Sequence, residues 1–137
     1  MKTSFRRIQY GRLNSRQQES YNFQKISGVL ADYGFTTIRL SSDWKGADFI
    51  AQHLDGKTYL KVQLKGRLTL AKKYRKKDIW IGFPYGDSWY LVPHDEMALK
   101  LMARHKRGRS KSWKKYGGYS FPCLSSNILR TLQASKL

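Results

Sequence analysis

Cysteine occurs once in this chain, at Cys123, so an internal disulfide is excluded and no paired thiols stand at metal-binding spacing. Acidic residues are scarce as well: 9 Asp and Glu stand against 27 Lys and Arg, for a formal net charge of +18. No run of roughly 18 apolar residues is present, which argues against a transmembrane helix. The N-terminus is basic at Lys2, Arg6, Arg7 and Arg12 but lacks the apolar stretch of a signal peptide. These absences lead to the expectation of a cytoplasmic protein with no membrane partner. Internal repeats and long linkers are also missing, so residues 1–137 are expected to form one domain.

What is present fits a folded chain. Aromatic residues at 14% and hydrophobic residues at 40% are enough to fill a core. A fold does not require so large an excess of cations, and a polyanionic partner would explain it. An anionic membrane surface or a solvated tail are the other readings of the charge. Nucleic acid fits best, because the cations come in clusters. Lys72, Lys73, Arg75, Lys76 and Lys77 fall within six residues, and Arg104, Lys106, Arg107, Arg109, Lys111, Lys114 and Lys115 follow later, with Arg67 ahead of both. A merely soluble surface mixes signs, and acids are nearly absent here. Tyr74, Trp113, Tyr116 and Tyr119, interleaved with the cations, add stacking capacity. Such clusters are read as phosphate clamps, since phosphate contacts position and base contacts specify. Base readout is assigned to residues 66–78, as a two-stranded ribbon in the major groove.

The pattern of elements reads α, then strands, then α. Asn14 or Ser15 followed by Gln17 or Gln18 is a capping box, and Gly34 supplies a stop. Between them Phe23, Ile26, Leu30 and Tyr33 make an apolar stripe, with Glu19 one turn before Phe23. Two readings of Glu19 stand: an exposed first-turn acid favoured by the helix dipole, or a carboxylate aimed into a functional cleft. Residues 35–40 are rich in β-branched side chains, and Ser41-Ser42-Asp43 is read as their end. Asp48–His53 and Thr58–Lys65 flank an Asp55-Gly56 turn. Asp78–Phe83 and Ser88–Val92 form a second hairpin around Pro84-Tyr85-Gly86-Asp87. Asp95 is expected to cap a helix to about Arg104, with Met97, Leu101 and Leu99 inward. Residues 105–120 read as loop. A last helix within 124–137 is capped by Ser125 or Ser126, its Ile128, Leu129 and Leu132 packing on the core or on a second subunit. The fold class is therefore α+β: an N-terminal helix packed on a mixed, mostly antiparallel sheet, with C-terminal helices.

The chemistry concentrates in the first hairpin. Gln63 and Lys65 share one face of their strand, while Leu60, Val62 and Leu64 share the other. Across the turn Asp48 sits at the far end of the preceding strand, so the two ends meet. If helix 1 covers this sheet, Glu19 reaches the same end. The set is two carboxylates, the Gln63 amide oxygen, the Leu64 carbonyl and the Lys65 ammonium. Oxygen donors suit a hard cation such as Mg²⁺, with Mn²⁺ as a substitute. A lysine beside such a cation can orient or deprotonate a water and stabilise charge on phosphorus. Elsewhere the sequence offers little. His53, His94 and His105 have no zinc spacing, Cys123 is expected to be a small packed residue, and Trp80, Phe83 and Trp89 are expected in the core.

With those residues in view, "GADFIA…YLKVQLKGR" resembles the core motif of the PD-(D/E)XK nuclease superfamily, a strand Asp followed by an acidic-X-Lys strand. "LADYGF", "LKVQLKGRLT" and "KDIWI" resemble in particular its group I intron-encoded homing endonucleases, and the likeness spans roughly residues 10–95. Two positions depart from the pattern: Ala47 replaces a proline, and Gln63 replaces the second acid. The resemblance implies a restriction-endonuclease-like core and a Mg²⁺-dependent, site-specific double-strand DNA endonuclease. Asp48, Glu19 and Gln63 would be its catalytic and metal-shell residues, with the Leu64 carbonyl a further ligand and Lys65 acting on the attacking water. Cutting both strands implies a homodimer or homotetramer. A restriction-type or junction-resolving nuclease, or a DNA- or RNA-binding protein with a vestigial site, are the alternatives.

Overall fold

Helix α1 (Ser15–Ala31) begins where the capping box is written: Asn14 Oδ1 accepts the Gln17 N–H at 2.8 Å, and Gln17 Oε1 accepts the Asn14 N–H at 2.9 Å. The structure, a computed structural model, describes residues 4–103 and 111–137. α1 ends three residues before Gly34, so Tyr33 lies outside the helix and is half exposed rather than on the buried stripe. Gly34 keeps its turning role: its φ is +86°, and a Cβ there would meet Leu54 at 2.9 Å.

Five strands form one sheet in the order β1-β2-β3-β5-β6: β1 (Phe35–Trp44), β2 (Ala47–His53), β3 (Tyr59–Leu64), β5 (Ile79–Tyr85) and β6 (Ser88–Pro93). All neighbours are antiparallel except β3 and β5, which run parallel. A second, two-stranded sheet pairs β4 (Thr69–Ala71) with β7 (Gly118–Ser120). Helices α2 (His94–Ala98) and α3 (Ser126–Leu132) complete the arrangement. This is the α+β class expected, with an N-terminal helix on a mixed sheet, and it is consistent with a restriction-endonuclease-like core.

Several local expectations shift. β1 does not stop at Ser41 but continues to Trp44, with its register against β2 broken between Arg39 and Trp44. An edge strand tolerates such an irregularity because one side of it has no ladder to keep. Pro84 and Tyr85 belong to β5, leaving Gly86-Asp87 as the turn. Asp95 lies in the first turn of α2 instead of capping it, and the helix passes into a wider π turn over Leu99–Ala103. Met97 and Leu101 are buried as expected, but Leu99 is 70% exposed. Part of the expected 105–120 loop is structured, as a helical turn over Ser112–Tyr116 and as β7.

The core divides across the five-stranded sheet. Ile26 and Leu30 of α1 are fully buried against Phe49, Ala51, Val62 and Leu91, with Leu60, Leu64, Trp80 and Trp89 packed at the edge. The other cluster gathers Ile79, Ile81, Phe83 and Val92 with Met97, Leu101, Trp113, Ile128 and Leu132. Each large aliphatic buried this way contributes about 1.5–3 kcal/mol before entropy is counted. Ile128 and Leu132 are thus spent on their own chain and offer no interface. Gly82, on the face of β5 that α1 covers, has no room for a side chain: a Cβ would lie 2.7 Å from Ile26 Cδ1.

Candidate active site and nucleic-acid interface

The end of the β2–β3 hairpin carries the predicted site. Phe49 pairs with Val62 and Ile50 with Lys61. The same register, one step on, sets Asp48 beside Gln63. There the Asp48 Oδ2 accepts the backbone N–H of Leu64 at 2.8 Å. Gln63 pairs with Ile81 in the parallel ladder, so its side chain lies on the sheet face opposite α1. Asp48, Gln63 and Lys65 are all half-buried, poised between core and solvent.

Lys65 is held from two directions. Its N–H donates to the Gly82 carbonyl at 2.9 Å, continuing the β3–β5 ladder past the strand end. Its ammonium stands 5.7 Å from the centroid of the Tyr74 ring. Tyr74 is buried, and its ring meets that of His94 edge-on at 5.5 Å. Gly46 passes against the same ring: its φ is +90°, and a Cβ would come within 3.2 Å of Tyr74 Cδ1. The glycine two residues ahead of Asp48 therefore has a steric reason, the close approach of Tyr74.

Glu19 is exposed, not buried in the stripe, which begins in earnest at Asn22 and Ile26. Phe23, one turn later, meets Phe49 edge-on at 5.2 Å on the α1 face of the sheet, whereas strand alternation turns Asp48 to the opposite face with Gln63. Arg39 ties the same stretch of helix to β1, donating to Ser20 Oγ at 3.1 Å. Among the described residues no three His, Cys, Asp or Glu side chains gather at one place, as follows when an amide stands in the second acid position. The donors at the hairpin end, a carboxylate, an amide oxygen and a backbone carbonyl, are nonetheless of the kind a hard cation accepts.

The basic surface has a structural basis that the sequence did not disclose. Pairing of β4 with β7 brings Lys72 beside Gly117, whose carbonyl accepts the Lys72 N–H. The 72–77 and 111–115 clusters are thereby neighbours in space. Lys72, Lys73, Arg75, Lys76, Lys77, Lys111, Lys114 and Lys115 are all exposed, as is Arg67. Arg104, Lys106, Arg107 and Arg109 lie outside the described residues. Trp113 is buried beneath the surface, with the Lys72 ammonium 5.6 Å and the Arg75 guanidinium 5.7 Å from its ring centroid. Trp113 and Tyr74 are thus supports for cations and not open stacking platforms; of the four aromatics named for stacking, Tyr116 is the exposed one.

Asp95, read from sequence as a helix cap, and His94, read as lacking zinc spacing, together clamp the basic segment. His94 is fully buried, and its Nε2 accepts the Ala71 N–H at 3.0 Å. That bond assigns the proton to Nδ1, which donates to Asp95 Oδ1 at 3.0 Å. The other oxygen of Asp95 accepts the Lys76 N–H at 3.0 Å. Partial burial raises the Asp95 carboxyl, but the His94 and Lys76 hydrogen bonds, with the Arg75 charge, outweigh it and hold it below its ordinary value. One Asp–His pair therefore holds both ends of residues 71–76.

His53 is also structural: Nε2 lies 3.1 Å from the Tyr33 carbonyl, and Nδ1 accepts the Asp55 N–H. Cys123, expected to be packed, is exposed.

No protein-family model matches the chain, and no curated protein does. Among solved structures it is similar to Hjc of Archaeoglobus fulgidus, a Holliday junction resolvase from an archaeal hyperthermophile. The TM-score is 0.44 and the identity 16%, over 56% of this chain and 72% of that one. So partial a likeness leaves the reading of the site to this chain's own geometry. No helix among the described residues is long and apolar enough to cross a membrane.

Proposed function

We propose that the chain is a divalent-cation-dependent DNA endonuclease that hydrolyses phosphodiester bonds at the Asp48–Gln63–Lys65 hairpin end, acting at specific duplex sites in the manner of a homing enzyme. The observation that carries the reading is the Asp48 carboxylate docked on the Leu64 N–H, beside Gln63 and one residue from Lys65. Asp48, Gln63 and the Leu64 carbonyl are the residues that would hold Mg²⁺, or Mn²⁺ in its place, and Glu19 would join them by reaching round the sheet end from the α1 face. When bound, the cation supplies an activated water and neutralises charge developing on the phosphate.

The chain's own groups do the positioning. Asp48, fixed by the Leu64 N–H, presents its carboxylate without a conformational search. Lys65, steadied over the Tyr74 ring, orients the attacking water and donates to a phosphate oxygen as negative charge builds. The clamped 72–77 segment and the neighbouring 111–115 cluster form one basic surface that binds the DNA backbone. Cutting both strands calls for two such sites, hence a homodimer or homotetramer.

The test is incubation of long duplex DNA and of a four-way junction with the protein and Mg²⁺, followed by mapping of the ends. Discrete double-strand ends support the site-specific reading. Cutting restricted to the junction replaces it with a junction-resolving nuclease. Binding without cutting of either leaves a nucleic-acid binder with a vestigial site.

A further inference from the structure

The turn from β1 to β2 holds a group of side chains that the proposed function does not use. Trp44 ends β1 opposite Ala47, the residue before Asp48, and is 50% exposed. The Lys45 ammonium lies 5.7 Å from its ring centroid and the Lys61 ammonium 6.0 Å. Lys61 pairs with Ile79 in the parallel ladder, as Gln63 pairs with Ile81, so both side chains lie on the same face. The Lys61 Nζ also donates to the Lys77 carbonyl, joining this corner to the basic segment. Lys45 (φ +53°) and Gly46 (φ +90°) are the left-handed pair of the two-residue turn between Trp44 and Ala47, which fixes where the Lys45 side chain leaves the backbone.

Packing does not explain the arrangement. An indole contributes most to stability when its faces are covered by apolar groups, yet this one stays half in water with two ammoniums beside it. A flat, exposed ring flanked by cations matches a nucleotide, with a base to stack and a phosphate to neutralise. Within a continuous duplex the base faces are already covered by their neighbours, so the matching nucleotide is one out of the stack.

We infer that Trp44, Lys45 and Lys61 form a subsite for an unstacked nucleotide of the strand that enters the Asp48–Lys65 site, the indole taking the base and the two ammoniums the adjoining phosphates. The inference rests on the nuclease reading for the identity of that strand. It adds a contact beside the reacting bond that favours DNA whose stack is locally opened.

The test is a fluorescence-anisotropy titration of the full chain in EDTA, so that no strand is cut. The probes are two labelled duplexes of one sequence, one fully paired and one carrying a single unpaired base. The wild type should bind the second more tightly. Trp44→Ala should lose that preference and weaken binding to the unpaired-base duplex about 10-fold, within the range of one base–aromatic stack, while Trp44→Phe keeps most of it. Lys45→Ala and Lys61→Ala should weaken binding to both duplexes and each reduce the slope of log K against log salt by about 1. A Trp44→Ala protein that binds the unpaired-base duplex like the wild type overturns the subsite, as does a wild type without preference; either outcome leaves the nuclease reading standing. A wild type that binds neither duplex overturns both. Should Trp44→Ala fail to fold, the lysine variants decide, and unchanged salt slopes in both overturn the subsite.

Discussion

The Asp48 carboxylate accepts the Leu64 N–H at 2.8 Å, so the residue proposed to head the active site also closes the hairpin beyond its last register pair. Its two roles separate by substitution. Asp48→Ala strips a half-buried N–H of its acceptor and should cost about 1–3 kcal/mol. Asp48→Asn keeps an acceptor oxygen and should melt near the wild type. Both should lose Mg²⁺-dependent cleavage, because neither offers a carboxylate. Thermal melts beside a cleavage assay read the two effects, and an Asp48→Asn protein that cuts at the wild-type rate would show the site to be misassigned.

Lys65→Ala should lower the cleavage rate about 10²–10⁴-fold, the usual worth of a positioned proton-transfer group, with only a small loss of stability from the contact with Tyr74. Gln63→Glu restores the acid of the family pattern and should retain measurable cleavage with the cation present. Gln63→Leu removes the oxygen and should lose it. Equal activity of the two Gln63 variants would take this side chain out of the cation shell. Glu19→Ala, at an exposed position, should leave stability within about 0.5 kcal/mol while reducing cleavage, and an unchanged rate would remove Glu19 from the site.

His94→Leu should be among the most damaging single changes outside the apolar core. It leaves the buried Ala71 N–H without its acceptor, a loss of about 1–3 kcal/mol, and frees both ends of the basic segment. DNA binding should weaken with it, although no phosphate contact has been deleted. Denaturant midpoints and binding titrations on the same variant check both parts, and a protein of wild-type stability would contradict the clamp.

Acid should weaken the first hairpin through Asp55. Hydrogen bonds from the Thr58 hydroxyl, the Lys57 N–H and the Thr58 N–H lower its pKa from 3.8 to about 2. A depressed folded-state value means that the stabilisation is complete above the unfolded value and is lost as pH falls from about 4 through about 2. Asp95, also lowered, acts with the same sign below the ordinary carboxyl range. Denaturant midpoints between pH 5 and pH 2 should therefore fall less in Asp55→Asn than in the wild type.

Salt dependence tests the phosphate clamp and the assembly together. With about 4 phosphates neutralised per subunit, a dimer on DNA gives a log–log slope of roughly −7. Sedimentation should then show a dimer or larger species at micromolar concentration. A stable monomer on its DNA, with a slope shallower than about −3, would remove the double-strand-cutting model.

Local chemistry was legible in the sequence. Asn14 and Gln17 cap α1, Asp55-Gly56 turns the hairpin, and alternation in Tyr59–Leu64 assigns Gln63 to one face and Val62 to the other, because each depends on residues a few positions apart. The facts that tertiary structure decided all join distant segments. The pairing of β4 with β7 puts two basic clusters on one surface, across more than forty residues of chain. His94 reaches Ala71, and Tyr74 comes to lie under Lys65, through side chains that no local pattern links. Glu19 obeyed the helical period yet emerged exposed, since the period says which residues share a face but not where the covering sheet ends. Composition and spacing determined which groups this protein carries; long-range strand pairing decided which of them meet, because only the closed sheet sets the distances between them.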